Sequence, residues 1–136
     1  MKFVVYGTPR PQGSMRAFFR PGMKHAVITS DNAKLKPWRQ QITETAIALG
    51  ITPVEGPIVL VMDFFFTRPK SAKKRVGMTV KPDSDKLARG CLDALTGVAY
   101  RDDSQVVDVH ARKHYGEPER VEIHLVSPQP HQGEIF

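Results

Sequence analysis

The stretch that decides the fold is "GPIVLVMDFFFTRP", residues 56–69. It holds the longest apolar run of the chain and is rich in β-branched and aromatic residues, the composition of a strand at the centre of a sheet. Asp63 interrupts the run. Being in phase with Val59, Val61 and Phe65, it belongs to the less buried of the two faces, because successive strand side chains alternate.

On the N-terminal side, "KLKPWRQQITETAIALG" (34–50) predicts a helix, with Leu35, Trp38, Ile42, Ala46 and Leu49 near helical spacing. Pro37 has to lie in the first turn, since deeper in the helix it would remove a backbone hydrogen bond, and Gly50 is a natural stop. Trp38 reads as core in preference to a base-stacking residue. "KFVVY" (2–6) and "AVIT" (26–29) predict strands that could pair as a hairpin with a long connection. The segment between them, residues 7–25, is too dense in Gly, Pro and Arg for a helix.

On the C-terminal side, "KSAKKRVGMTV" (70–80) predicts a basic loop in which Lys70, Lys73, Lys74 and Arg75 can grip phosphates, although charge runs are more often solvated. A second helix is predicted over 83–97. Leu87, Cys91 and Leu95 form its apolar stripe, and Asp85, Arg89 and Asp93 form a polar stripe roughly 200° away. Gly90 in mid-helix costs about 1 kcal/mol relative to Ala, so close packing is expected there. "SQVVDVHARKHY" (104–115) and "RVEIHLV" (120–126) alternate as strands do, and "GEPE" (116–119) between them suggests an antiparallel hairpin. His110 and His114 then share a strand face with Asp108 and Arg112, a solvated surface more than a zinc pair. The expectation is an α/β (α+β) single domain: a small mixed or antiparallel sheet packed with two main helices over 1–126, and a polar C-terminal tail over 127–136.

Composition narrows the class of activity. The 136 residues carry a net charge of +6. Residues 1–80 hold 13 Lys and Arg against 4 Asp and Glu, whereas residues 81–136 hold 7 against 10. A basic surface beside a compact acidic cluster is one way to build a phosphodiester enzyme, in which cations hold the phosphate backbone and carboxylates hold a metal ion; the plainer alternative is a solvated basic surface with no partner. The lone cysteine, Cys91, allows no intrachain disulfide and sits on an apolar stripe, so it reads as buried and inert. With no apolar run of about 18 residues and an N-terminal run too short for a signal peptide, the expected setting is the cytoplasm, with no membrane.

The acids gather in two places, "KPDSDKL" (81–87) and "RDDSQ" (101–105). In extended backbone Asp83 and Asp85 point the same way, and Pro82 favours extension there. Magnesium takes a few such carboxylates together with substrate phosphate. The competing reading is plain capping of a helix start, the commoner role for an isolated D-x-D. For Asp103 to meet Asp85, the chain has to double back along a helix about 20 Å long.

The order of these elements resembles the core of the RusA family of Holliday-junction resolvases. The pattern D-x-D-N-L-x-K, then D-A-L, then D-D-x-Q-[VI] is matched by Asp83, Asp85 and Leu87, by Asp93-Ala94-Leu95, and by Asp102-Asp103, Gln105 and Val106. The N-terminal "GTPRPQGSMR" is similar to the Gly-Pro-basic opening of phage-type members. Two positions depart from the pattern: Lys86 replaces the Asn and Arg89 the Lys.

The resemblance implies a homodimeric, Mg²⁺-dependent endonuclease (Mn²⁺ a possible substitute) of phage or prophage origin that cuts four-way junctions by paired nicks in recombination and repair. Asp83, Asp85 and Asp103 would be the metal-binding catalytic carboxylates, with Asp102 as a further acid. Arg89 would stand in the place of the functional lysine. Arg10, Arg16, Lys70, Lys73, Lys74, Arg75 and Lys86 are the candidate DNA contacts. A branched-DNA nuclease without junction preference, or a structure-selective binding protein whose departures at 86 and 89 cost catalysis, are the alternatives.

Overall fold

A computed structural model describes residues 1–13, 15–18, 27–30 and 33–128; for 15–18 and 27–30 it describes the backbone alone. The elements in chain order are β1 (Lys2–Tyr6), β2 (Met15–Phe18), β3 (Val27–Ser30), α1 (Leu35–Ala48), β4 (Ile58–Phe66), α2 (Ser84–Leu95), β5 (Val106–Tyr115) and β6 (Arg120–Val126). Single 3₁₀ turns lie at Lys70–Ala72 and Asp103–Gln105.

β4 is central, as its composition predicts. Its residues alternate strictly between buried and half-buried, with Ile58, Leu60, Met62, Phe64 and Phe66 inward and Asp63 on the other face. The four-stranded sheet has the order β1-β6-β4-β5, with β4 and β5 parallel and the remaining pairs antiparallel. Both helices pack on the inward face in one core, where Trp38, Ile42 and Ala46 of α1 and Leu87, Cys91 and Leu95 of α2 meet the strands. The result is a small single-domain α+β fold with a mixed sheet.

The C-terminal hairpin expectation is overturned, because β4 lies between β5 and β6. β6 alternates as expected while β5 is exposed throughout Val107–His110, and alternation in any case reports which face is wet and not which strand is the neighbour. Residues 116–119 are not a tight turn; they pass over the end of β4. There the Gly116 N–H donates to the Phe66 carbonyl (2.8 Å), and the Glu119 carboxylate accepts the Thr67 N–H (2.9 Å). β5 reaches its place beside β4 by a crossover through α2, the connection parallel strands require.

The N-terminal hairpin expectation is also overturned. β1 pairs with β6, and β3 pairs instead with β2, inside the segment read as a loop. That segment is too polar and broken by Gly and Pro to show a strand period. The polar tail expected over 127–136 lies outside the described residues beyond Pro128.

The helices follow their expectations closely. α1 carries Pro37 in its first turn and buries Leu35, Trp38, Ile42 and Ala46. Leu49, just past the end, is 58% exposed and does not join the stripe. α2 is shorter than predicted, ending at Leu95. A Cβ at Gly90 would stand 3.3 Å from Leu35 Cδ1 and 3.4 Å from the Arg10 carbonyl oxygen. The glycine therefore lets α1 and the N-terminal loop close on α2. Among the described residues no helix is long and apolar enough to cross a membrane.

Candidate active site

Lys81 and Pro82 bring the chain into α2, and Asp83 takes extended backbone (φ −72°, ψ 141°) at the N-cap position. Its side chain makes no capping hydrogen bond. Asp85 follows in the first turn, where the unsatisfied N–H groups favour negative charge. Both carboxylates are exposed. Capping, the plainer role for this D-x-D, therefore leaves them unused.

The polar stripe of α2 faces outward as its spacing predicts, with Asp85, Arg89 and Asp93 exposed. Asp85, Ala88, Arg89 and Leu92 form one wall of a groove whose other wall is Val109 and Ala111 of β5. Asp93 does not pair with Arg89; its carboxylate lies 3.4 Å from Arg39 on α1, an exposed contact that ties the helices together.

The second acid pair divides its labour. Asp102 accepts the Ser104 N–H (2.9 Å) in a full capping box, and Gln105 returns its Oε1 to the N–H groups of Arg101 (2.8 Å) and Asp102 (3.1 Å). Gln105 Nε2 donates to the carbonyls of Val54 and Gly56, both at 3.0 Å, clamping this turn to the chain entering β4. Hydrogen bonds from Ser104, first its backbone N–H, hold the Asp102 carboxyl below its usual range. Asp103 is exposed beside it. Tyr100 under the turn is fully buried and donates its hydroxyl to the Leu92 carbonyl (2.7 Å). Burial pushes its ionisation up, and the nearby Asp103 and Asp93 charges add to this.

One chain does not bring the three predicted metal ligands together. Asp83 and Asp85 stand at the start of α2. Asp103 stands past its far end, where β5 begins alongside the start of β4. Twelve residues of helix, about 18 Å long at about 1.5 Å per residue, lie between the two places along the chain. Among the described residues no group of three or more His, Cys, Asp or Glu is arranged to hold a metal ion. The acids of a single chain thus do not fit a metal centre as they stand.

The predicted DNA contacts fall into four sets. Lys70, Lys73 and Lys74 are exposed on the loop between β4 and α2. Arg75 is turned inward and donates to the Tyr115 hydroxyl (2.6 Å). Arg10 and Lys86 are half-buried where the N-terminal loop meets α2, and the Gln12 N–H donates to the Lys86 carbonyl (2.9 Å). Arg16 is on β2, and its side chain lies outside the described residues.

Sequence reasoning missed the residues that fix this loop. Arg68 Nη1 donates to the carbonyls of Ala72 and Arg75, each at 2.7 Å, and its guanidinium lies 4.4 Å from the Tyr115 ring centre. Lys113 donates to the Val80 carbonyl (2.8 Å). The available signal was phase: Lys113 and Tyr115 share the inward register of β5 with Ala111. Cys91 is buried and its thiol is pushed up to about 12 by that burial, in keeping with an inert core residue. On the uncovered sheet face, His114 meets Asp63 at 2.7 Å and His110 meets Asp108 at 3.0 Å, each a His–Asp pair at the surface.

The chain is 36% identical over 135 residues to "Uncharacterized protein YqaN" of Bacillus subtilis (strain 168), an alignment covering 90% of this chain and 93% of that protein. The sequence model of the family described as "Endodeoxyribonuclease RusA" matches residues 8–126, taking in both helices, the whole four-stranded sheet beyond β1 and both acid turns. On that match the chain belongs to the RusA family of endodeoxyribonucleases.

Proposed function

We propose that this protein is a structure-selective endodeoxyribonuclease that resolves four-way DNA junctions by paired, symmetric nicks, working in recombination and repair in the cytoplasm. The observation that carries the reading is the set of exposed carboxylates Asp83, Asp85 and Asp103, spared from capping within a family of DNA endonucleases. Exposed Lys70, Lys73 and Lys74, on the loop that runs on to Asp83 and Asp85, suit a phosphate backbone.

The separation of Asp85 from Asp103 argues for a homodimer. β5 is an outer strand of the sheet, and it exposes Val107 (62%) and Val109 (42%). An outer strand invites pairing with another chain. Antiparallel pairing of two β5 strands about a two-fold axis would lay the start of one α2 toward the Asp103 turn of its partner, and the symmetry would do so twice. A four-way junction has the same symmetry, so two such sites would face opposed strands.

Magnesium, or manganese in its place, belongs to this proposal: bound between such carboxylates, the ion would supply an activated water and offset charge on the phosphate. The residues do the remainder. The exposed guanidinium of Arg89, in the same groove as Asp85, would hold a phosphate oxygen as a fixed cation, and Lys73 and Lys74 would orient the backbone.

The test is incubation of the purified protein with a synthetic four-way junction, a flap and a linear duplex, each with Mg²⁺ or Mn²⁺. Paired symmetric nicks in the junction are expected. Equal cutting of all three substrates would move the protein to a general branched-DNA nuclease. Binding with no cutting under any metal would make it a junction-binding protein.

A further inference from the structure

The loop between β4 and α2 is held at both flanks while its tip stands in water. Arg68 closes residues 68–75 from within, Arg75 is bonded to Tyr115 at the end of β5, and Ala72 is buried. On the other flank Met78 packs against the core and Lys113 holds the Val80 carbonyl. Between these anchors Val76 is 102% exposed, the most exposed of the large hydrophobic residues described. Burying a side chain of this kind is favourable, and the anchored loop forgoes that gain at this one position.

Single exposed apolar residues are common and need no special role. This one differs in three respects. It is presented by a loop whose shape is set in advance, so little ordering entropy is lost when it meets a partner. It follows Lys73 and Lys74, whose exposed cations complement a phosphate backbone. The same loop runs directly on into Asp83 and Asp85.

We propose that Val76 is a wedge that enters the base stack at the branch point of DNA while Lys73 and Lys74 hold the flanking phosphates. Apolar side chains inserted between base steps unstack and kink a duplex, and the cost is least where stacking is already interrupted. This inference rests on the branched-DNA reading above and assigns the loop a part in it: positioning the strand at the carboxylates by opening the branch.

The experiment uses the full chain and an immobile four-way junction with 2-aminopurine at the branch, in chelator so that no cutting occurs. Wild-type protein should raise the fluorescence on binding. Val76→Leu should keep the rise. Val76→Ser should reduce it to less than about one third while junction affinity changes by less than about threefold, since the phosphate contacts remain. Circular dichroism and Tm of both variants confirm that they are folded. A wild-type rise that Val76→Ser retains in full overturns the proposal, as does junction binding with no rise at all; both leave the nuclease reading standing. Failure of wild-type protein to bind the junction removes that reading and the wedge with it.

Discussion

The two acid turns make an instructive pair. "PDSD" before α2 and "RDDS" before β5 have nearly the same composition, and each precedes a helical turn. In the second, Asp102 closes a capping box with Gln105 and ties the turn to residues 54–56. In the first, Asp83 occupies the capping position without making the bond, and Asp85 stands exposed one turn in. Where a carboxylate is needed to hold the backbone, it is used up by N–H groups. Where it is left in water at a helix start, it forgoes about 1 kcal/mol of available capping. Retaining such charges fits a site that spends them on a ligand.

The sharpest way to break this contrast is to neutralise the unused acids. Asp85→Asn or Asp103→Asn should lower junction cutting by about 10²–10³-fold or more, the scale for loss of a fixed charge-stabilising group, and leave junction binding intact in a gel-shift assay. Either variant cutting normally would take that carboxylate out of the site. Asp102→Ala should behave oppositely, with cutting kept within a few-fold.

Next in size is the frame beneath the first turn. Gly90→Val would push against Leu35 and the Arg10 carbonyl, and overpacking of this kind costs about 1–3 kcal/mol in urea unfolding. An unchanged midpoint would mean the N-terminal loop does not brace α2. Smaller again, the double change of Lys73 and Lys74 to Ala should reduce the salt slope of junction binding by about 2, one for each phosphate that a lysine no longer neutralises.

The smallest effect concerns pH. The Asp102 carboxyl sits below its unfolded value, so its contribution to stability is fully present above the usual carboxylate range and is lost as pH falls through the lowered value. Tm of wild type should therefore exceed that of Asp102→Ala by a small margin near neutrality, and the margin should close in acid. A margin that persists unchanged in acid would assign the turn's stability to Gln105 alone.

Much of this was legible in the chain. The continuous apolar run of 58–66, rich in β-branched and aromatic residues, identified the central strand, and the spacing of Leu87, Cys91 and Leu95 identified the buried face of α2, because both signals are local. Strand neighbours are not local: β5 and β6 read as a hairpin although β4 separates them, since four residues can cross the end of a strand as readily as they can turn. The acids that matter to the site were legible as residue types and as a family pattern. That Asp102 is a cap, that Arg75 faces inward, and that α2 holds Asp85 and Asp103 apart depended on hydrogen bonds and on the direction of the crossover, neither of which has a sequence period.

Complementation tests whether Asp85 of one chain works with Asp103 of a second. Asp85→Asn and Asp103→Asn proteins, each inactive alone, are unfolded together, refolded as a mixture and assayed on the junction. If the site is shared, each mixed dimer has one site with both acids lost and one with both intact, so nicking should return to about a quarter of wild type at random assortment, as single and not paired cuts. If the mixture stays as inactive as its parents while mixed dimers are shown to form, both acids act within one chain and the account is contradicted.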